Sequence, residues 1–233
     1  MEDIIYIKEI EVKTFNSTDT YEIRYYSDQC EVISYLSIPS KCIEQQIPFP
    51  CMIYNRGGNR NFGVTNPETN AGYAETMNRI VFSSQYRGAA GGTGQDEFGG
   101  DDVHDVIKLI DLCEQFAFVD MSRIYMMGIS RGGMMTYRAV SKDDRINKAV
   151  VVSGVADAFM NYEERPDIQD VYQILVGGSP EALPQEYERR SATYWADKIK
   201  CPIMIIHSEM DDKVSFEQAE KMVQMMEETG GGI

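Results

Sequence analysis

Five short apolar runs constrain this chain more than any other feature of its sequence. They are Pro50-Cys51-Met52-Ile53-Tyr54, Ile80-Val81-Phe82-Ser83-Ser84, Arg123-Ile124-Tyr125-Met126-Met127, Ala149-Val150-Val151-Val152 and Pro202-Ile203-Met204-Ile205-Ile206. Each is too short for a helix, and none alternates apolar with polar. Such runs suit strands covered on both faces, the situation of a parallel sheet with helices on either side. Helix-compatible stretches lie between them. Asp101 is placed to cap one that carries Val103, Val106, Ile107 and Ile110 on one face. A second should follow Ser130. A third should begin at Ser215, where Ser215 and Gln218 match a capping box and Phe216, Ala219, Met222, Val223 and Met226 form the stripe.

The first forty residues read differently. Ile5, Ile7, Ile10 and Val12, then Tyr21 to Tyr25, then Glu31 to Leu36 suggest antiparallel strands with a turn at Ser27-Asp28. Residues 155–195, rich in Tyr, Glu, Arg and Pro, break the later alternation. They are expected to form a helical insertion over the carboxyl end of the sheet, where open α/β folds bind ligands. The expectation is a single α/β domain over residues 1–233: a mostly parallel sheet flanked by helices, with antiparallel N-terminal strands.

Composition excludes several functions. The formal charge is −15, which argues against nucleic acid and anionic membrane surfaces, both of which need clustered Lys and Arg. No run approaches the length of a membrane helix, and the acidic start Met1-Glu2-Asp3 does not read as a signal peptide. A cytoplasmic location is expected. The five cysteines, Cys30, Cys42, Cys51, Cys113 and Cys201, are odd in number and widely spaced. They suggest neither a disulfide framework nor a zinc site, and Cys51, Cys113 and Cys201 read as core residues. There is no P-loop, no dinucleotide fingerprint around Gly92-Thr93-Gly94 and no paired His/Cys cluster, so no cofactor and no metal are expected.

One motif carries chemistry. Gly128-Ile129-Ser130-Arg131-Gly132-Gly133 matches G-x-S-x-G, follows an expected strand and precedes the helix-compatible stretch Met134 to Val140. The nucleophile of such an elbow sits on a strained strand-to-helix turn, so the residues two before and two after must be small. Ser130 is therefore the candidate nucleophile. Asp211 and Asp212, on the loop after the strand ending at Ile206, are candidates for the acid that orients an imidazole. The loop Tyr54-Asn55-Arg56-Gly57-Gly58 follows the first parallel strand. The amides of Gly57 and Gly58, with that of Arg131, are placed to form an oxyanion hole.

Residues 49–229 resemble the catalytic domain of the prolyl oligopeptidase family of serine hydrolases. The matching blocks are Tyr86-Arg87-Gly88 with the glycine-rich stretch to Gly100, Asp120 with Arg123-Ile124, the elbow itself, Arg190-Ser191, and Cys201-Pro202 leading to His207 and Asp211-Asp212-Lys213-Val214. The resemblance implies an α/β-hydrolase fold and assigns the triad acid to Asp211. It also implies a histidine after one further helix and strand. The chain ends Thr229-Gly230-Gly231-Gly232-Ile233, so that last strand, its histidine loop and the last helix are expected to be missing.

His104 and His207 are the two histidines, and neither is expected to act as base. Ser130 should cleave small peptide or ester substrates through an acyl-enzyme, but the chain by itself should be nearly inactive. A carboxylesterase and a non-catalytic module that keeps the fold are the alternatives. An unpaired sheet edge should favour a homodimer. Tyr162, Tyr172, Tyr187 and Trp195 are expected in the core more than in a pocket.

Overall fold

The computed structural model describes residues 3–232. Three antiparallel strands open the chain: β1 (Ile4–Ile10), β2 (Thr18–Ser27) and β3 (Cys30–Pro39). Helix α1 (Ser40–Gln45) leads into β4 (Phe49–Asn55), and α2 (Pro67–Met77) into β5 (Ile80–Ser84). Then follow α3 (Val103–Cys113), β6 (Val119–Ile129), α4 (Arg131–Val140) and β7 (Lys148–Val152). Helices α5 (Ala158–Glu164), α6 (Gln169–Val176) and α7 (Pro184–Arg190), with three single 3-10 turns, separate β7 from β8 (Ile203–Ile206). Helix α8 (Glu217–Thr229) comes last.

The eight strands form one sheet in the order β1-β2-β3-β5-β4-β6-β7-β8. β3 meets β5 antiparallel, and from β5 to β8 every pairing is parallel. The five apolar runs are the five parallel strands, and their inward side chains form the centre of the main core together with residues of β2, β3, α3 and α4. Ile53, Phe82, Ile124 and Val151 are fully buried between helices on the two faces. The four strands β4, β6, β7 and β8 all end at the same edge of the sheet. The loops starting at Arg56, Ser130, Ser153 and His207 therefore emerge side by side, as the parallel registers require.

Local details depart from the sequence reading. The residue before α3 is Asp102, not Asp101, and it makes no capping bond, because its carboxylate is drawn into the interior by Arg131. No capping box forms at Ser215: its hydroxyl donates to Glu164, and the Gln218 side chain accepts from the amides of Ala156 and Asp157. Helix α2 gave no signal because it buries Asn70, Ala71 and Ala74 instead of a large apolar stripe. It is started by Asn66, whose Oδ1 accepts from the Thr69 amide at 2.7 Å, and by Pro67 in its first turn. Cys51 and Cys113 are core residues, whereas Cys201 is only half-buried, near the sheet edge.

Candidate active site

Ser130 stands where β6 turns into α4, with φ 56° and ψ −123°. A non-glycine residue rarely holds this conformation, and it persists only where the surroundings enforce it. Here they do. The Ser130 amide donates to Val152 O at 3.0 Å, and the Ser130 carbonyl accepts from the amides of Gly133 and Val155. The flanking glycines are steric requirements. A Cβ on Gly128 would fall 2.0 Å from the Gly132 carbonyl oxygen, and one on Gly132 would fall 2.0 Å from the Asn55 carbonyl oxygen. The turn is thus packed directly against the end of β4, which brings the loop after β4 to the serine. A Cβ placed on Gly57 would touch the Ser130 side chain, at 3.3 Å from its Cβ and 3.8 Å from its Oγ.

Two buried arginines shape this contact, and the sequence reading missed both side chains. Arg56 donates to the carbonyls of Gly57, Arg60, Phe62 and Gln85, which curls residues 56–62 around its guanidinium. Arg131, 2 % exposed, holds Asp96 with two bonds of 2.7 Å, pairs with Asp102 and donates to the Gly58 carbonyl at 3.1 Å. Asp96 in turn accepts from the amides of Arg60 and Phe98. Burial alone would raise the Asp96 pKa, but Arg131 and these amides outweigh it and hold the carboxyl below its ordinary range. Burial likewise pushes Arg131 down, and Asp102 and Asp96 reverse that, so the guanidinium stays charged. The residue after the serine therefore clamps the glycine loop with its side chain and leaves its amide free. Among the described residues the amides of Arg131, Gly57 and Gly58 donate no hydrogen bond.

Asp211 lies in the turn after β8. Its Oδ1 accepts from the amides of Lys213 and Val214 at 2.9 and 3.0 Å. Partial burial works to raise its pKa, but Ser153, these two amides and His207 together lower it. Asp212, by contrast, points to solvent and pairs with Lys213. The two histidines are both engaged with groups other than the serine. His104 is exposed and faces Asp28 at 3.1 Å. His207 is buried, turns Nε2 to the Val214 carbonyl at 2.8 Å and lies 3.8 Å from Asp211. It braces the acid turn and does not line the cavity at Ser130.

That cavity is about 450 Å³ in volume, and Ser130 opens into it. Gly58, Phe98, Val155, Val171 and Val214 are in its wall, with the charged Arg165, Asp167 and Lys213 beside them. Residues after β7 thus contribute one side of it. Asn161 lines it too. Its Oδ1 accepts from the Tyr172 hydroxyl at 2.9 Å, and its buried Nδ2 has no partner. Tyr162, Tyr172 and Tyr187 stand behind this wall as a stacked and edge-on cluster, with centroids 5.6 to 5.8 Å apart. Nothing in the described residues gathers three metal-ligating side chains, and none of the described helices is long and apolar enough to cross a membrane.

The chain is similar to known proteins along most of its length. The Bacillus subtilis (strain 168) protein named uncharacterized peptidase YtmA is 32% identical over 200 residues, which is 85% of this chain and 76% of that protein. The acylaminoacyl peptidase of Pyrococcus horikoshii superposes with a TM-score of 0.80 at 18% identity, over 94% of this chain and 36% of that one. This chain thus spans about a third of that structure's length. The acetyl xylan esterase of Paenibacillus sp. R4 superposes with a TM-score of 0.76 at 16% identity, over 97% of this chain and 79% of the other. These likenesses show an α/β-hydrolase fold. The prolyl oligopeptidase family model matches residues 68–233, which include the elbow and the acid turn. The chain belongs to the prolyl oligopeptidase family of serine hydrolases.

Proposed function

We propose that Ser130 is the nucleophile of an acyl-transfer site that cleaves peptide bonds or activated esters of small substrates. The observation that carries this reading is the strained Ser130 backbone at the mouth of a cavity, next to a glycine loop with unused amides. Ser130 Oγ attacks the substrate carbonyl carbon, and its proton passes to a base. The amides of Arg131, Gly57 and Gly58 receive the oxyanion. As the carbon–nitrogen or carbon–oxygen bond breaks, the proton moves on to the leaving group. Water then attacks the acyl-Ser130 ester and releases the acid. Asp211, kept ionised by its amide donors, is the acid that orients the imidazole.

We assign that imidazole to neither His104, which pairs with Asp28, nor His207, which bonds the Val214 carbonyl beside Asp211 and does not line the serine cavity. Ser130 in this chain alone should therefore be slow, because the loss of one triad member costs several orders of magnitude in rate. Added imidazole tests both statements. Hydrolysis of p-nitrophenyl acetate by the chain should be weak and should rise with imidazole, beyond the increase shown by the Ser130→Ala variant. An equal response from both proteins would leave only a non-catalytic module with a hydrolase fold. Full activity without imidazole would overturn the assignment of both histidines.

The apolar part of the cavity wall, Val155, Val171, Val214 and Phe98, suits an uncharged acyl side chain, and the charged Arg165, Asp167 and Lys213 line the same cavity. It favours a peptidase or a carboxylesterase equally. A cytoplasmic setting agrees with five cysteines that are all unpaired. Self-association through β8, an edge strand with Met204 61% and Ile206 48% exposed, is our reading of how copies would meet. Light scattering of a monomer at all concentrations would reject it.

A further inference from the structure

Beyond the serine site, a second cavity of about 220 Å³ lies between the end of α4, the end of α7 and the turns that follow α7. Its wall is Arg138, Ser141, Lys142, Arg189, Trp195 and Lys198. Four of these six are cations, on a chain whose net charge is −15. Arg138 is 3 % exposed and donates to the Gly99 carbonyl, and among the described residues it pairs with no carboxylate. Lys142 and Lys198 form no ion pair either, again among the described residues. Arg189 is paired with Asp101 at 3.1 Å, Glu186 at 3.0 Å and Glu97 at 4.0 Å, so it is the most nearly neutralised of the four.

A buried cation is normally matched by an acid, since burial alone opposes the charge. Here no carboxylate bonds to it among the described residues. Burial, followed by Arg189 and Arg190, pulls the Arg138 pKa down to about 10, against a weaker opposing pull from Asp102 and Asp101. Lys142 is lowered too, by burial and then by Arg138 and Arg189. Helix C-termini do favour basic residues, and that accounts for one cation at the end of α4. It does not account for two more arriving from α7 and the turn at Lys198. Such a cluster calls for an anion. The donor set is a buried guanidinium fork, a second guanidinium and two ammonium groups, which matches a compact oxyanion with several acceptor atoms. The Trp195 ring shares the wall, and its Nε1 is already used on the Glu188 carbonyl at 3.1 Å. It therefore offers only its apolar surface.

We propose that this cavity binds a phosphoryl dianion, held by Arg138, Lys142, Arg189 and Lys198, with Trp195 against any organic group attached to the phosphorus. The proposal is independent of the hydrolase reading, because binding is measured without turnover.

Trp195 is the one tryptophan of the chain, so its fluorescence reports on this cavity alone. The full chain is titrated with inorganic phosphate, with ionic strength held constant by sodium chloride. Saturable change in Trp195 emission is expected, with a Kd near or below about 1 mM. Phenyl phosphate forms a second arm: tighter binding than inorganic phosphate identifies a phosphate ester as the ligand, and equal binding identifies the free ion. Lys142 and Lys198 are exposed, so the double variant Lys142→Gln/Lys198→Gln should fold normally and lose affinity roughly tenfold. Calorimetric titration of Arg138→Met, with circular dichroism to confirm its fold, should show no binding. A flat response at roughly 10 mM phosphate, ten times the expected Kd, would overturn the proposal. So would a double variant that binds phosphate as well as the natural chain.

Discussion

Helix α4 carries two buried arginines two turns apart, and they are solved in opposite ways. Arg131, at the N-terminal end, is enclosed by Asp96 and Asp102 and lies 4.9 Å from the ring centroids of both Tyr86 and Phe98. Arg138, toward the C-terminal end, is as deeply buried, but bonds a carbonyl and shares its cavity wall with three other cations. The first is a completed network. It fixes the loop that faces Ser130, through the Gly58 carbonyl and the Asp96 bond to the Arg60 amide. The second bonds to no carboxylate among the described residues. Equal burial of the same side chain therefore says little about its role. The role is set by which charges the fold brings to it.

Breaking the first network should have the largest effect. Arg131→Met leaves two buried carboxylates facing each other and should cost about 3–5 kcal/mol of unfolding free energy, read from urea denaturation. It should also reduce imidazole-dependent ester hydrolysis, because the glycine loop loses its anchor. A loss below 1 kcal/mol would mean the network holds nothing in place.

Acid sharpens the same contrast. The Asp96 pKa is lower in the folded chain than in the unfolded one. Its contribution is thus fully present above the unfolded value of about 4 and disappears as pH falls through the folded value. Stability of the natural chain should decline below about pH 4, and Asp96→Asn, already weaker by at least roughly 1.5–3 kcal/mol because either oxygen replaced loses an Arg131 contact and an amide bond, should decline less steeply. Parallel pH curves for the two proteins would count against the pairing.

Arg138→Met should have the smallest effect. It exchanges a buried, unpaired cation for an apolar side chain of similar length and loses one bond to Gly99, so stability should change by no more than about 1 kcal/mol in either direction. A loss as large as that of Arg131→Met would show that Arg138 has an acidic partner in the folded protein.

The sequence exposes these features unequally. The five parallel strands, the elbow and the acid turn are legible because each is defined by neighbours within a few residues, although the edge strand β8 is exposed on one face where burial on both was expected. Asp211 differs from Asp212 in the structure through two local amides, and the family resemblance already favours it. The roles of Arg56 and Arg131 are not legible, because their partners come from distant segments. Asp102 and Asp96 are 29 and 35 residues from Arg131. One clue was present: charged side chains at Arg131 and Arg138 in a helix otherwise made of Gly, Met, Thr, Tyr, Ala and Val. Such a helix is buried on most sides, so its arginines need partners inside the fold. Helix α2 escaped for the opposite reason, since Ala and Asn do not form a visible apolar stripe.

The most direct test of the serine assignment is covalent. A fluorophosphonate probe phosphonylates an activated serine, and mass spectrometry of the digested chain locates the adduct. One slowly formed adduct on Ser130 is expected, faster with imidazole and absent from Ser130→Ala. An adduct on a different residue, or none at saturating probe and imidazole, would contradict Ser130 as the nucleophile.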